Sequence, residues 1–150
     1  MQYRHVLAAA LLVLASICGA RAQTAKTVAA DVALAPFVVE ADNADSLRSQ
    51  SASCNDQLAA ALTRKGVAVA RNPRLSDENL QSAGAPWAVL GRITRDKEQF
   101  QLELRLLDVR SGDEMRSYFN SDKELQVACR AVDKVAERIA AFVASQRGSR

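Results

Sequence analysis

Between positions 100 and 106 apolar and polar side chains alternate without a break: Phe100, Leu102, Leu104 and Leu106 are interleaved with Gln101, Glu103 and Arg105. A period of two is the period of an extended chain, so this segment predicts a strand with one face toward a core and the other toward water. Its flanks read as partners for it. Residues 87–94 (Trp-Ala-Val-Leu-Gly-Arg-Ile-Thr) form a preceding strand, joined through Asp96-Lys97-Glu98. Ser111-Gly112-Asp113 is a hairpin turn leading to a strand over 114–119.

The rest of the chain supplies more strand and a helical cover. Residues 28–39 are mostly apolar and rich in β-branched side chains, and predict a central strand with Pro36 at its end, because proline cannot donate to a ladder. A polar stretch follows, in which Asp45 or Ser46 can cap a helix over 47–65. From Cys54 through Leu58, Ala61 and Leu62 the apolar spacing is four, three, one, and Gly66 stops the helix. Residues 67–70 are a short strand ended by Asn72-Pro73, and a short helix starts at Ser76 and ends near Gly84. The last element, 125–144, carries Leu125, Cys129, Val132, Ala136, Ile139 and Val143 on one helical face, with Arg130, Asp133, Lys134, Glu137 and Arg138 elsewhere. The order β-α-β-α-β-β-β-α predicts a single α+β domain: about five strands in one mixed sheet, with helices packed on it.

The amino terminus sets the compartment. A short polar start with Arg4 precedes an apolar run over 6–17, too short to span a bilayer, and Ala20 and Ala22 give the small-x-small pattern of a cleavage site. Residues 1–22 are expected to be a cleavable signal peptide, 23–146 the domain and 147–150 a flexible tail. Cys18 follows the bulky Ile17, which disfavours lipidation, so no membrane insertion is expected after signal removal. The product is expected to be periplasmic or secreted. The signal takes two of the 20 basic residues and leaves 18 against 17 acidic ones. That balance, with no basic run carrying interleaved aromatics, argues against nucleic acid.

Export also limits the chemistry. The one histidine, His5, leaves with the signal, which excludes serine–histidine and cysteine–histidine nucleophiles and the usual zinc sites from the mature chain. No phosphate-binding glycine motif occurs, and no cofactor is expected. The carboxylate pairs Asp42/Asp45, Asp77/Glu78 and Asp113/Glu114 fall in turns or caps and read as solvated acids. Asp108 is expected to accept the N–H groups of the 110–112 turn. Two cysteines remain, Cys54 and Cys129, each on the apolar face of its own helix. In an oxidising compartment they are expected to form a disulfide if the two helices share a face of the sheet. The other reading is two separate buried thiols.

Several segments together carry a resemblance. Val32-Ala33-Leu34-Ala35-Pro36-Phe37, then a helix, Gly66 and a valine-rich strand, then Trp87-Ala88-Val89-Leu90-Gly91-Arg92-Ile93 lead to Leu104-Arg105-Leu106-Leu107-Asp108-Val109-Arg110-Ser111-Gly112 and a closing helix. This pattern resembles the amino-terminal domain of the TolB translocation protein. It is also similar to exported domains of the curli secretion channel, of flagellar outer-membrane accessory proteins and of lipoprotein activators of penicillin-binding proteins. The resemblance implies a domain that binds a protein partner at the cell envelope without catalysis. Independently of it, Gly91 reads as a bulge or a close backbone approach, and Gly112 as the positive-φ residue of a turn. The alternative is a small-ligand or envelope-polymer binding module, with Trp87, Tyr118 and Phe119 lining a pocket. A flat exposed patch favours the first reading and a concave pocket with convergent polar groups the second. The sequence names neither the partner nor an oligomeric state.

Overall fold

The computed structural model describes residues 29–149, so the expected signal peptide, Cys18 and the junction after Ala22 lie outside the described residues. Strand β1 (Val32–Leu34) lies parallel between β3 (Val69–Arg71) and β4 (Trp87–Asp96). β4, β5 (Gln99–Asp108) and β6 (Glu114–Asp122) then form an antiparallel meander, giving the sheet order β3-β1-β4-β5-β6. β2 (Val38–Glu40) pairs in parallel with the far half of β4.

The sheet therefore has six strands, not the five expected, because the first expected strand is broken in two. β1 meets β4 at Trp87, Ala88 and Val89, and β2 meets the same strand at Arg92, Ile93 and Thr94. Pro36 has no N–H to donate, and the chain leaves the ladder over 35–37 before rejoining it. Two buried side chains of α1 (Ala44–Arg64) hold the gap. Asn55 Nδ2 donates to the Ala35 carbonyl at 2.7 Å, and Ser51 Oγ donates to the Phe37 carbonyl at 3.5 Å. The displaced Phe37 ring lies on Gly91 of β4. A Cβ there would stand 2.2 Å from the ring, so the close approach needs the missing side chain.

One face of the sheet carries the helices. Val32, Leu34, Val89, Ile93, Leu102, Leu104 and Leu106 point into the main core, where Leu47, Leu58 and Leu62 of α1 meet them. The closing helix is broken as well: α2 (Leu125–Cys129) and α3 (Val132–Arg147) replace the single helix expected. At the break the backbone tightens from four-residue to three-residue bonds, Arg130 N to Val127 O and Ala131 N to Ala128 O. α3 runs through Arg147, one residue into the segment read as tail, and Arg147 pairs with Asp31. Trp87 is buried on this side, edge-on to Phe142 of α3 at 5.0 Å between ring centroids.

The opposite face is only half covered. The segment after β3 contains a 3₁₀ helix (Asp77–Ser82) where an α-helix was expected, and it lays Leu75, Leu80, Ala83 and Ala85 over Ala33, Ala35, Ala88 and Leu90. The alanines let this segment approach the sheet closely. Two clips fix it: Asn72 Nδ2 donates to the Ser82 carbonyl, and Gln81 Nε2 to the Val109 carbonyl. Among the described residues no helix is long and apolar enough to cross a membrane.

Candidate functional site

The uncovered half of the outer sheet face is built by register. Val38 pairs with Arg92, Arg92 with Glu103, and Glu103 with Phe119, so these four residues form one row across β2, β4, β5 and β6. The next row is Glu40, Thr94, Gln101 and Ser121. Val38 and Phe119 are 56% and 65% exposed, and they are the exposed large hydrophobics among the described residues. Two apolar side chains thus flank a charged pair on an otherwise polar surface. Arg92 also reaches Glu40 of β2, at 3.6 Å.

Where this surface meets the 3₁₀ segment, Arg105 Nη2 donates to both carboxylate oxygens of Asp77 at 2.6 Å. The hydrogen-bonded Asp77 carboxylate raises the Arg105 pKa above its usual value, burial opposes this, and the Asp77, Glu103 and Glu114 charges add to the rise. Asp77 is therefore no isolated turn acid: it fastens the covering segment to the sheet. The cleft between them, walled by Val38, Leu75, Asp77 and Arg92, encloses about 70 Å³. A small-molecule site usually needs about 300 Å³ or more.

A larger hollow, about 410 Å³, lies between α1 and residues 36–39. Its polar groups are occupied within the fold. Asn55 and Ser51 hold the β1–β2 gap, Arg71 pairs with Asp56, and Arg48 pairs with Asp45. Nothing converges on a ligand there. Of the three aromatics considered for a pocket, Trp87 is core, Tyr118 is half-buried toward the helices and Phe119 faces out. Tyr118 and Phe119 both line a groove of about 260 Å³ between β6 and α3, and Trp87 does not join them there.

The remaining singled-out residues sit as follows. Cys54 and Cys129 are joined, with Cα atoms 5.5 Å apart, and the bond links α1 to the short α2 rather than to a long closing helix. Asp108 Oδ1 accepts the N–H of Arg110 at 2.7 Å and of Ser111 at 3.3 Å. Gly112, at φ +78°, donates its N–H to the Asp108 carbonyl at 2.8 Å. Gly91 underlies Phe37. These positions shape the scaffold and lie off the Val38–Phe119 row. No group of three His, Cys, Asp or Glu side chains poised to hold a metal occurs among the described residues.

Sequence reasoning missed Val38, Arg92 and Asp77 as surface-building residues. One sign was available for Phe119: consecutive side chains of a strand point to opposite faces, so Tyr118 and Phe119 cannot both enter the core.

No protein-family model matches the chain, and no curated protein matches it in sequence. Solved structures do match it in shape. A PelC dodecamer from Paraburkholderia phytofirmans is similar at a TM-score of 0.53 and 19% identity, over 71% of this chain and 84% of that one. Protein XCC0632 from Xanthomonas campestris is similar at 0.53 and 12%, over 82% of this chain and 90% of that one. TolB from Acinetobacter baumannii is matched at a TM-score of 0.47 and 19% identity, over 75% of this chain and 28% of that one. At these identities the likeness is one of fold, and the fold is the α+β arrangement that the TolB-type resemblance implies.

Proposed function

We propose that the chain is a non-enzymatic exported protein that binds or stabilises a protein partner at the cell envelope through the open half of its outer sheet face. The observation that carries this reading is the Val38–Arg92–Glu103–Phe119 row. Its two ends are exposed and it is amphipathic, with a large aromatic at its rim, which is the composition of a contact patch. On this reading residues 1–22 direct export, the domain begins near Gln23, and Gly91, Asp108, Gly112 and the disulfide serve the scaffold. The small-ligand alternative has less support, because the 410 Å³ hollow beside α1 has its polar groups already paired.

The test is a photo-crosslinking residue placed at Phe119, at Val38 and, as a control on the helical side, at Gln57, with the protein kept in its periplasmic setting. A discrete protein adduct from positions 119 and 38 but not from 57 is expected. Phe119→Ala in a protein crosslinked from position 38 should weaken capture roughly tenfold, the usual effect of truncating an aromatic anchor. A copurifying low-mass ligand with no adduct from either position would refute the reading in favour of the ligand-binding module.

A further inference from the structure

β6 is the last strand of the sheet. Among the described residues nothing pairs with its outer edge, which runs nine residues from Glu114 to Asp122. An open edge of that length presents a row of backbone donors and acceptors to another extended chain. Such edges are usually blunted by a bulge, a proline or an inward charge. Here the one bulge lies at the start of the strand: Leu106 faces Arg116 and Leu107 faces Glu114, leaving Met115 as the extra residue. The stretch from Ser117 to Asp122 pairs regularly with β5 and contains no proline.

Beside this edge, a groove of about 260 Å³ runs between β6 and α3. Buried Leu104 and Val135 form its base, Tyr118 its wall, and exposed Lys134 and Arg138, one helical turn apart on α3, its rim. Among the described residues no ion pair involves Lys134, Arg138 or Arg116; the six pairs present use other cations. The Arg116 guanidinium lies over the Phe142 ring, 5.6 Å from its centre. Tyr118 and Arg138 line the same groove; burial raises the pKa of the Tyr118 hydroxyl while the positive charges of Arg116 and Arg138 pull it down. The groove is thus positive along one flank, and Phe119 stands exposed on the other side of the same strand.

The geometry points to an extended, acidic segment of a partner protein as the occupant of the β6 edge. It adds to the sheet as a further strand, its alternate acidic side chains meeting Arg116, Lys134 and Arg138, and its intervening apolar side chains lying beside Phe119. An extended chain alternates its side chains between two faces, and the two faces meeting at this edge differ in the same way, one cationic and one apolar. The backbone supplies strand pairing and the flanking side chains supply selectivity. This inference rests on the protein-partner reading and adds the mode of binding.

The test uses the purified chain, isotopically labelled, and an acetylated, amidated octapeptide of four Glu-Val repeats. Amide shifts should move along 114–122 and at 134–138. A Lys-Val peptide of the same length should bind at least about tenfold more weakly, and so should the Glu-Val peptide to the Lys134→Glu, Arg138→Glu double variant, given two reversed charge contacts. Two N-methylated peptides decide the strand geometry without touching the protein. Methylating the Glu nitrogens or the Val nitrogens strips the N–H groups from one edge or the other, so one peptide should lose binding and the other keep it. Equal binding by both methylated peptides, equal binding by the Lys-Val peptide, or shifts confined to the Val38–Arg92 side would each overturn the proposal. So would concentration-dependent pairing of β6 with a second copy of the chain. If the peptide fails while crosslinking from Phe119 and Val38 persists, protein binding stands and edge addition falls. If no crosslink forms either, both fall.

Discussion

Removing the Cys54–Cys129 bridge should destabilise the fold strongly. The two cysteines are 75 positions apart, and the loop between them contains β3 to β6. For a loop of that size the chain-entropy relation gives about 15 cal/mol/K, or ~4.5 kcal/mol at room temperature, by which the bridge disfavours the unfolded state. Both sites are buried, so trimming each sulfur to a methyl removes packing worth ~1 kcal/mol more per site. A Cys54→Ala, Cys129→Ala variant should therefore lose about 6–7 kcal/mol, and reduced wild type about 4–5 kcal/mol, out of the ~5–15 kcal/mol that a domain of this size holds. Urea unfolding is the assay. The slope against denaturant should steepen as the midpoint falls, because the uncrosslinked unfolded chain exposes more surface. A loss below ~1 kcal/mol with an unchanged slope would refute the loop argument, and two titratable thiols in the denatured, unreduced protein would show that the bond is missing from the protein assayed.

Gly91→Ala should cost roughly 2–3 kcal/mol by thermal unfolding, since the new methyl meets the Phe37 ring and neither β4 nor the clipped 35–37 gap has room to yield; adding Phe37→Leu should restore part of the loss. Lys97 turns the β4–β5 hairpin at φ 55°, so Lys97→Asn should stabilise by about 0.5 kcal/mol, read as a rise in the unfolding midpoint. Asp77→Asn should loosen the 3₁₀ segment, speeding hydrogen exchange at 77–83 at least severalfold while global stability falls by less than ~1 kcal/mol, because the ion pair is partly exposed. Asp108→Ala should cost about 1 kcal/mol through two lost N–H acceptances in the turn before β6, read as a fall in the urea midpoint.

Local periodicity accounts for what was legible beforehand. Phe100 to Leu106 declares β5 because its alternation needs no knowledge of its neighbours, and Leu58 and Leu62 declare the buried stripe of α1 for the same reason. The breaks were not legible. Pro36 marks where the first strand stops, but its resumption at Val38 depends on Phe37 finding the distant Gly91, and on Asn55 and Ser51 holding the gap. The interruption between α2 and α3 carries no glycine or proline to announce it. For the candidate surface, Gln101, Glu103 and Arg105 could be read as a wet face, whereas the row joining Glu103 to Phe119 and Arg92 is a property of strand register. The clasp between Asp77 and Arg105 spans 28 positions and leaves no local trace.

Arg147, at the end of α3, reaches Asp31 just ahead of β1, its Nε 3.1 Å from Oδ1 across 116 positions. The two ends of the described fold are thus spatial neighbours, so a short glycine-serine linker can join them and new termini can be opened at the 111–112 turn with the sheet order intact. The same closeness governs where cargo can hang. Anything fused ahead of Asp31 or behind Arg147 leaves beside β1, three strand spacings or about 14 Å from β6. Fluorophores, affinity handles and surface anchors placed at either end therefore leave the β6 edge and Phe119 unobstructed, and a handle at the 111–112 turn would stand beside the start of that edge.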